Sequence, residues 1–423
     1  MSPDPDQMRI LLINHYAGSP FYGMEYRPYY LAREWVRAGH CVRILAASYS
    51  HVRGRQPTAA GGPIKRRTAE CLDGIEYIWY PTPAYQGNGV GRVRNIWAFL
   101  HQVWADAPRL AMEFRPQVVI ASSTYPMDIW VAKRVARMAG AKLIYEVHDL
   151  WPLSPIELGG MSPRHPFIML CQWAENAAYR DADAVVSMLP KVHEHMAAHG
   201  LDLCKLHIIP NGISLDEWQG DIQPLDGDLA SHFHTVHEAG QLVVGYAGSH
   251  GTPNALDNLL DAASLLKREP IQFVLVGDGH HQARLQRRVI DEGLSNVRMF
   301  STISKAQVPA LLREFDVAYL GAPKVALYRF GVSPNKLLDY MMAAVPVLYA
   351  IESGNDLVSE VGCGISVSAD NPLAIAQALA TLHIKGESAR REMGLKGKSF
   401  VCDTLTYDTL SRRFIDAVYS PLS

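Results

Sequence analysis

Residues 242–276 have the sequence LVVGYAGSHGTPNALDNLLDAASLLKREPIQFVLV, which begins and ends with a short apolar run rich in valine. Runs that are apolar on both faces are typical of parallel strands covered by helices. Between the two runs lie a glycine-rich turn and a helical segment. The stretch therefore predicts a strand, a helix and a second strand, the repeating unit of a parallel α/β sheet.

The same alternation extends in both directions from this stretch. Amphipathic segments lie between the apolar runs, for example residues 29–38, which end at the stop signal Gly39-His40. Two series of alternating strands and helices indicate two Rossmann-like domains, each built on a parallel sheet. The predicted strands are 8–15, 41–48, 74–80, 117–122, 142–147, 184–188 and 206–209 in the first series, and 242–247, 272–276, 297–300, 317–320, 346–350 and 364–367 in the second.

The length of the chain supports this division, because 423 residues exceed what one hydrophobic core usually holds. We expect an N-terminal domain at 1–215 and a C-terminal domain at 241–403. Residues 216–240 are assigned to the linker, because most of this stretch is rich in Asp, Gly and His and lacks a clear period. Residues 404–423 are expected to form a C-terminal helix that packs back on the N-terminal domain.

Composition and charge exclude several classes of protein. Hydrophobic residues make up 48% and charged residues 19%, which rules out a disordered or fibrous chain. The net charge of −2 argues against a protein that coats nucleic acid. Residues 1–200 nevertheless carry 21 Lys or Arg against 17 Asp or Glu, so this basic half is the candidate for meeting an anionic partner.

Cysteines and apolar segments indicate the compartment. The six cysteines are scattered, with no CxxC pair and no zinc-like spacing, which suits a reducing cytoplasm. The acidic start MSPDPDQMRILLINHY does not resemble a signal peptide, and no run of 18 apolar residues occurs. We expect a cytoplasmic protein, with peripheral attachment to the inner face of the cytoplasmic membrane as a further option.

Residues 329–347, RFGVSPNKLLDYMMAAVPV, predict a helix start that can bind an anion. Ser333 is a good N-cap and Pro334 suits the first helical position. The free N–H groups and the positive dipole end of a helix attract phosphate, and Lys336 adds a cation there. Asp339 lies one turn later, where it could bind ribose hydroxyls. An ordinary capped helix with a Lys336–Asp339 pair is an equally good interpretation.

Other strand ends carry further candidates. Residues 245–251, GYAGSHG, and 277–279, GDG, let a ligand approach the backbone closely, although α/β proteins use such turns routinely. Residues 15–27 form a long loop at the corresponding edge of the first domain. His148 lies where a strand runs out into a Trp-Pro turn, a usual place for a catalytic group, and a satisfied core histidine is the alternative.

Several short motifs, taken in order, resemble the family-4 retaining glycosyltransferases, which are nucleotide-sugar-dependent enzymes with the GT-B fold. They are PNG at 210–212, YAG at 246–248, VGDG at 276–279, SPNKLLDYM at 333–341 and PV at 346–347. Further motifs in the first half resemble a bacterial polysaccharide-assembly branch of that family. They are NHYAG at 14–18, GMEYR at 23–27, SH at 50–51 and YQGNG at 85–89. The resemblance covers nearly the whole chain.

The resemblance implies two Rossmann-like parallel-sheet domains facing across a cleft that holds the nucleotide sugar. It implies a hexosyl- or N-acetylhexosaminyl-transferase that moves a sugar from a UDP-linked donor to a glycan or lipid-linked acceptor. The product would be a bacterial surface polysaccharide such as capsule or O-antigen. Configuration would be retained by same-face attack, with the leaving phosphate taking the acceptor proton.

Carried over residue by residue, the resemblance places His148 beside the reacting sugar carbon and Lys336 at the leaving diphosphate. The candidate donor-binding residues, from motifs and resemblance together, are Gly18, Gly23, Gly248, Ser249, Gly277, Ser333, Asn335, Lys336 and Asp339.

The chain departs from the family pattern at three places. The family's Glu-x7-Glu motif has Asp339 at its second position but Gly331 at its first. The usual Arg and Lys pair early in the C-terminal domain is not evident after Gly251, and Ala344 stands where the family often has glycine. Arg329 and Lys324 are the candidates to supply the missing positive charge.

The chemistry requires breakage of a C1–O bond through an oxocarbenium-like transition state. Amides at a helix start together with Lys336 can stabilise the leaving group without a metal. The Asp-x-Asp sequences at 181–183 and 226–228 read as a helix-to-strand junction and as linker, so we expect no metal and no cofactor. A nucleotide-sugar epimerase of the same fold is the main alternative. A non-catalytic nucleotide-sugar-binding protein is another, supported only by Gly331.

A basic and aromatic region suggests an anionic membrane surface as partner. Residues 51–67 hold five Lys or Arg and no acid, and the helix predicted after Gly91 combines arginines with an apolar stripe and two tryptophans. This composition is typical of an interfacial helix, although the stripe could equally be the core face of a domain helix. The residues assigned to the acceptor or membrane side are Arg66, Arg67, Arg92, Arg94 and Trp97.

Overall fold

The computed structural model describes residues 7–59, 62–87, 89–220 and 222–419. The chain divides into two compact units, of which the first consists of Met1–Asn211 with Tyr407–Ser423 and the second of Gly212–Thr406. Each unit carries its own sheet.

The strands are β1 (Arg9–Ile13), β2 (Cys41–Ala47), β3 (Thr58–Ala59), β4 (Gly62–Pro63), β5 (Thr68–Leu72), β6 (Ile75–Tyr80), β7 (Val118–Ala121), β8 (Lys142–Val147), β9 (Ala184–Ser187), β10 (Leu206–Ile208), β11 (Leu242–Ala247), β12 (Ile271–Val276), β13 (Val297–Phe300), β14 (Val317–Gly321), β15 (Val347–Ala350) and β16 (Gly364–Ser366).

The α-helices are α1 (Arg27–Arg37), α2 (Val90–Arg109), α3 (Asp128–Ala139), α4 (Leu153–Glu157), α5 (Pro166–Asp181), α6 (His193–Ala198), α7 (Leu215–Gln219), α8 (Gly227–Glu238), α9 (Leu256–Leu265), α10 (Gln282–Asp291), α11 (Val308–Arg313), α12 (Asn335–Met342), α13 (Leu357–Val361), α14 (Pro372–Thr404) and α15 (Tyr407–Tyr419). A π-helix at Leu110–Phe114 continues α2, and Gly386 interrupts α14 with non-helical dihedral angles.

Both sheets are essentially parallel, as the sequence predicts. The first has the strand order β10-β9-β8-β7-β1-β2-β6-β5, in which only β5 pairs antiparallel with its neighbour among the described strands. The second has the order β13-β12-β11-β14-β15-β16. In each, the chain starts in the middle of the sheet and reverses direction there, which places the ligand-facing strand ends side by side.

All the predicted strands form, and their ends lie within two residues of the predicted bounds. The strands missed by sequence analysis are β3, β4 and β5. The residues of β5, Thr-Ala-Glu-Cys-Leu, alternate between half-buried and exposed positions at the sheet edge. An edge strand with one exposed face lacks the continuous apolar run on which the prediction depended.

Residues 216–240, which the sequence assigned to a linker, differ from that expectation. They contain most of α7 and all of α8, and the whole stretch belongs to the second unit. Leu229, Phe233 and Val236 are buried on one face of α8. Their spacing of four and three residues is helical, but the histidines between them obscure the period.

The C-terminal helix α15 packs against α1 within the first unit. The indole N–H of Trp35 donates to the carbonyl of Ser411 at 3.2 Å, and the Trp35 and Phe414 rings lie 5.2 Å apart. Tyr30 stacks on Tyr407 at 4.8 Å. Buried aromatic contacts of this kind hold the C-terminal end of the chain against α1 of the first unit.

None of the described helices combines the length and the apolar character needed to cross a lipid bilayer.

Candidate functional site

In the first unit, polar side chains gather where β7 and β8 end. Ser122 follows β7, and its hydroxyl donates to Glu146 of β8 at 2.6 Å and lies 2.9 Å from Nε2 of His148. Because the carboxylate can only accept, the single hydroxyl proton goes to Glu146. Nε2 of His148 therefore carries a proton and donates it to the Ser122 oxygen.

A buried ion pair supports this cluster. Arg27, the first residue of α1, donates through Nε to Oε1 of Glu146 at 2.9 Å, and both side chains are almost fully buried. The same guanidinium donates to the carbonyls of Pro210 at 2.6 Å and Ile209 at 2.9 Å. Arg27 thus ties together α1, β8 and the segment that follows β10, and its donors are satisfied by groups fixed in the fold.

Arg27 and Glu146 were not among the predicted site residues. A signal for Glu146 is present in the sequence, since it is an acid inside the otherwise apolar strand ending Leu-Ile-Tyr-Glu-Val. A charge in a strand covered on both faces requires a partner. The identity of that partner could not be read from the sequence, because Arg27 lies 119 residues away.

The cluster is electrostatically coupled. Burial on its own would lower the pKa of His148, but the hydrogen bond and charge of Glu146, with help from Glu25, hold that pKa above its ordinary value. Burial would raise the pKa of Glu146, yet Arg27 and His148 keep it well below the usual range. The geometry therefore favours an imidazolium beside a carboxylate.

His148 has one ring edge directed toward the loop that follows β1. Its Nδ1 lies 3.8 Å from Oε2 of Glu25, beyond hydrogen-bond distance, and His148 itself is only 6% exposed. Burial raises the pKa of the Glu25 carboxyl. The negative charges of Asp149 and Glu146 raise this pKa further, and the positive charge of His148 opposes the shift. An imidazolium Nδ1–H at this edge is a donor for which a ligand oxygen would be a suitable acceptor.

Gly18 and Gly23 allow this loop to fold on itself. Ser19 and Gly23 exchange backbone hydrogen bonds of 3.0 and 2.7 Å, and Gly18 N donates to the Glu25 carbonyl at 2.8 Å. A Cβ at Gly18 would lie 1.8 Å from the Gly23 carbonyl oxygen, and Gly23 has φ of +97°. Glycine is therefore required at both positions by the loop itself, and contact with a donor remains a prediction.

In the second unit, the predicted phosphate-binding helix begins one residue later than the sequence indicated. The helix α12 starts at Asn335, with Pro334 at the N-cap position in an extended conformation (ψ 127°) and no side-chain cap. The assignment of Ser333 as N-cap was therefore wrong. Proline lacks an N–H and its fixed φ fits both positions, so the local sequence does not distinguish them. Lys336 becomes the second residue of the helix.

Lys336 is held by neutral groups. Its Nζ donates to the Tyr246 hydroxyl at 3.0 Å and to Oδ1 of Asn254 at 2.5 Å. Those two side chains each donate to the carbonyl of Ser249, which fixes their orientation. Burial lowers the pKa of Lys336 to about 8. No carboxylate among the described residues pairs with this half-buried ammonium, so it is a site prepared for an anion.

The first glycine-rich turn packs directly against this lysine, and the second turn packs against the first. Gly248 has φ of +144°, and a Cβ there would lie 2.4 Å from Cε of Lys336. Gly277 has φ of +151°, and a Cβ there would lie 1.9 Å from the Gly248 carbonyl oxygen. The two turns and Lys336 therefore come together as predicted for a ligand site at strand ends, while Ser249 lies exposed beside them.

We predict that Gly248→Ala displaces the Lys336 ammonium and strains the turn. The cost of a non-glycine residue in this backbone region is of order 1–3 kcal/mol. The expected result is a lower affinity for UDP, the nucleotide that the family resemblance implies, with the fold retained because the clashing atom lies near the end of a flexible side chain. Gly251→Ala is the matched control, since Gly251 has an ordinary extended φ of −127°. Isothermal titration with UDP measures both, and equal affinities would contradict the prediction.

Asp339 does not pair with Lys336, so the alternative of an i,i+3 pair is wrong. Burial raises the pKa of the Asp339 carboxyl to about 7. The positive charge of Lys305 opposes this rise in pKa, and the negative charge of Glu217 increases it. Asn335 is exposed and Ser333 is half-buried, both at the start of α12. A carboxyl group that is costly to ionise gains from donors that a ligand supplies, which suits ribose hydroxyls.

Lys324 and Arg329, the residues predicted to supply the missing positive charge, already contact other groups of the protein. Lys324 forms an ion pair of 2.7 Å with Glu352, so its charge is compensated. Arg329 donates to the Ala326 carbonyl at 2.7 Å and lies over the Phe330 ring at 4.3 Å.

Two departures from the family pattern have a backbone explanation. Gly331 has φ of +92°, a conformation that a glutamate would adopt only under strain. Ala344, where the family often has glycine, has φ of +59°. The left-handed conformation that glycine favours is therefore kept at position 344 even though the residue is alanine.

The predicted membrane-side residues are only partly available. Arg67 pairs with Asp106, and Arg92 donates to the Tyr16 hydroxyl at 3.1 Å and lies over the Tyr16 ring. Arg66 and Arg94 are exposed, and Trp97 is 45% exposed. The apolar stripe of α2 forms part of the core, so on this point the alternative interpretation is correct.

Side chains with metal-ligand spacing occur in one place among the described residues. Single ligand atoms of Glu175, His195 and His199 lie within 4.8 Å of one another, between α5 and the end of α6. In the first Asp-x-Asp sequence, Asp181 pairs with Lys133 at 2.5 Å and Asp183 accepts from the Leu143 amide at 2.7 Å. These two carboxylates therefore serve structural contacts.

Two family models match the chain, one in each unit. The model described as glycosyl transferase 4-like domain matches residues 22–212, and the model described as glycosyl transferases group 1 matches residues 241–384. Together these matches extend over most of both units.

Curated and solved proteins show the same likeness. The chain is 23% identical over 284 residues to WbjE of Pseudomonas aeruginosa, described as a probable glycosyltransferase, covering 66% of this chain and 70% of WbjE. It is 23% identical over 225 residues to WcaI of Escherichia coli (strain K12), whose name assigns it to colanic acid biosynthesis, covering 53% and 54%. Anabaena Alr3699/HepE in complex with UDP and glucose has a TM-score of 0.65 at 15% identity, covering 98% of this chain and 100% of that chain.

Proposed function

The chain belongs to the family-4 glycosyltransferases of GT-B architecture, and we propose that it transfers a sugar from a UDP-linked donor to a glycan or lipid-linked acceptor of a bacterial surface polysaccharide. The observation that carries the proposal is the Lys336 ammonium, held by neutral groups beside two glycine-rich turns. The relation to WcaI supports a polysaccharide product, and the presence of UDP in the HepE structure supports the donor nucleotide.

The second unit is proposed to bind the donor. The diphosphate accepts hydrogen bonds from the free amides at the start of α12 and from Lys336. The same backbone dipole and cation stabilise the charge that develops on the leaving diphosphate. Asp339 accepts from the ribose hydroxyls, and burial, which raises the pKa of that carboxyl to about 7, makes such donors favourable. Gly248 and Gly277 keep the approach to Lys336 open.

The first unit is proposed to act on the transferred sugar. His148, held by Ser122 and Glu146, donates its Nδ1–H to an oxygen of the sugar and so orients the ring for reaction through an oxocarbenium-like transition state. The C1–O bond to the diphosphate breaks while the acceptor oxygen bonds C1 from the same face. The acceptor hydroxyl proton passes to the departing phosphate oxygen, and the configuration is retained.

The acceptor is proposed to be presented at the inner face of the cytoplasmic membrane. The excess of basic residues in the first half of the chain supports an anionic partner surface. Lipid-linked glycan acceptors are amphiphiles that reside in such a surface, so peripheral attachment would raise their local concentration.

The proposal is tested by thermal shift against a panel of UDP-, GDP- and TDP-sugars. We expect UDP and one or more UDP-sugars to stabilise the protein and the other bases to do so less. Incubation of the best donor without acceptor then separates transferase from epimerase. Conversion of the free nucleotide sugar to its epimer would overturn the transferase assignment, and stabilisation by none of the nucleotides would overturn the donor site.

We predict that Lys336→Ala weakens UDP binding roughly 10- to 150-fold. A charge-assisted hydrogen bond to an ionised group is worth about 1.5–3 kcal/mol, and the leaving diphosphate loses its cation. Titration calorimetry with UDP measures the effect. Lys396→Ala is the control, because Lys396 is an exposed lysine of the same unit paired with Glu392. If the Lys336 variant is folded and binds UDP like the control, the phosphate assignment is wrong.

A further inference from the structure

Three neighbouring helices of the first unit leave large apolar side chains in solvent. Trp97 and Trp104 on α2, Met138 on α3 and Trp173 on α5 are 43–62% exposed. Contiguous exposed apolar surface marks interaction sites, and tryptophan is large and on average highly buried. The side chains lie on helices that pack against one another, α2 on α3 and α3 on α5.

These side chains line one open groove of about 850 Å³, called here the Trp groove. Trp130 of α3 forms its floor against Trp173, with ring centroids 4.9 Å apart. The volume is in the range of sites that accept small apolar ligands. The sequence indicated only the α2 part of this surface, because the other tryptophans come from segments distant in sequence.

The rim of the Trp groove is basic. The charged residues that line it, histidine aside, are Lys133, Arg134, Arg137, Arg180 and Asp181. Asp181 contacts both Lys133 and Arg180, so one carboxylate faces four cations. Arg134 lies over the Trp104 ring at 4.6 Å, which joins the charged rim to the aromatic wall.

We propose that the Trp groove is the surface by which this protein docks on an anionic phospholipid bilayer. Indole rings favour the headgroup level, where their apolar bodies reach acyl chains and their N–H groups remain hydrated. The arginines and Lys133 contact lipid phosphates around the inserted rings. This deepens the proposed function, since it rests on an acceptor presented at a membrane.

A second copy of the chain is a poorer occupant than a bilayer. In a two-fold contact, the same patch meets itself, so four cations and one carboxylate would face an identical set. Like charges brought together at an interface are repulsive. An anionic surface satisfies both features of the groove at once, the apolar floor and the cationic rim.

Vesicle flotation tests the proposal with the full chain. Wild type is expected to float with phosphatidylcholine vesicles that contain 30% phosphatidylglycerol. The fraction of protein that floats with pure phosphatidylcholine vesicles is expected to be at least tenfold smaller. High salt is expected to release the protein from the anionic vesicles. Trp104→Ser with Trp173→Ser removes the aromatic anchor, and Arg137→Glu with Arg180→Glu reverses part of the rim. Each pair is expected to reduce binding to the anionic vesicles at least tenfold.

Matched variants locate the surface. Ile384→Ser with Leu395→Ser removes two exposed apolar side chains of the second unit and is expected to leave flotation unchanged. Arg66→Glu with Arg94→Glu tests the surface predicted from the sequence. Loss of flotation in this last pair, with the groove variants still binding, would overturn the assignment to the Trp groove, as would a wild type that floats equally with both vesicles or with neither.

Titration with UDP separates this inference from the proposed function. The groove variants are expected to keep the thermal shift that UDP gives the wild type, which also shows that they fold. Normal UDP binding with no dependence of flotation on the groove overturns the docking site alone. Absent UDP binding with groove-dependent flotation overturns the donor assignment and leaves the docking site in place.

Discussion

Replacing His148 by alanine is expected to lower kcat about 100- to 1,000-fold, the usual effect of removing one preorganised donor from a reacting centre. Affinity for UDP is expected to change little, because the proposed contacts to the ribose and the diphosphate lie in the second unit. The result is measured as kcat in steady-state transfer, with UDP affinity determined in parallel. A variant with unchanged kcat and reduced stability would show that His148 is a core histidine.

The pH dependence of turnover provides a sharper test of the same residue. The pKa of His148 lies above its ordinary value of 6.5, so the imidazolium is present below that raised pKa and is lost as pH rises through it. We expect kcat to fall on the alkaline side. In Glu146→Gln the carboxylate that raises the pKa is absent, so the fall moves to lower pH. An alkaline limb that stays in place would exclude His148 as its source.

Replacing Arg27 by methionine is expected to destabilise the protein by about 3–5 kcal/mol, because it leaves the buried Glu146 carboxylate without its cation. For a unit of this size, the loss corresponds to a fall in Tm of roughly 6–20 °C. Differential scanning calorimetry at neutral pH measures it. A shift as small as that of an exposed arginine variant such as Arg109→Met would show that the pair contributes little.

The effect of Arg27→Met should depend on pH and on its partner. The folded pKa of Glu146 lies below its usual 4.5, so the stability from the pair is present above that value and is lost as pH falls through the folded pKa. The gap between wild type and variant should therefore narrow on acidification. Adding Glu146→Gln removes the uncompensated charge, and the double variant is expected to be more stable than Arg27→Met alone.

The architecture was largely predictable from local pattern. Buried parallel strands such as β11 and β12 need apolar residues on both faces, and this requirement is visible within six residues. The edge strand β5 escaped prediction because one of its faces meets solvent. The helix α8 escaped because histidines separate Leu229, Phe233 and Val236 and obscure their helical spacing.

Sequence patterns identified several residues of the candidate site, but they did not identify most of the contacts that these residues make. Lys336, Gly248 and Gly277 were identified from helix-start and strand-end patterns, and the structure brings them together. The N-cap assignment of Ser333 was wrong, because the preference of proline for two adjacent positions cannot be resolved locally. Arg67 and Arg92 were assigned to a membrane surface, and the fold engages both with protein partners.

Local sequence pattern is enough to specify the two parallel α/β units, the order of their strands along the chain and the helix start that carries Lys336. These features depend on periodicity and turn chemistry over a few residues, which the chain specifies wherever it lies in space. Which side chains contact one another follows from the folded arrangement of the elements. Arg27 reaches Glu146 across 119 residues and Lys336 reaches Tyr246 across 90, while α2, α3 and α5 together form the Trp groove. Such contacts arise from the packing of whole elements, because a side chain's partner depends on the segment that the fold places beside it.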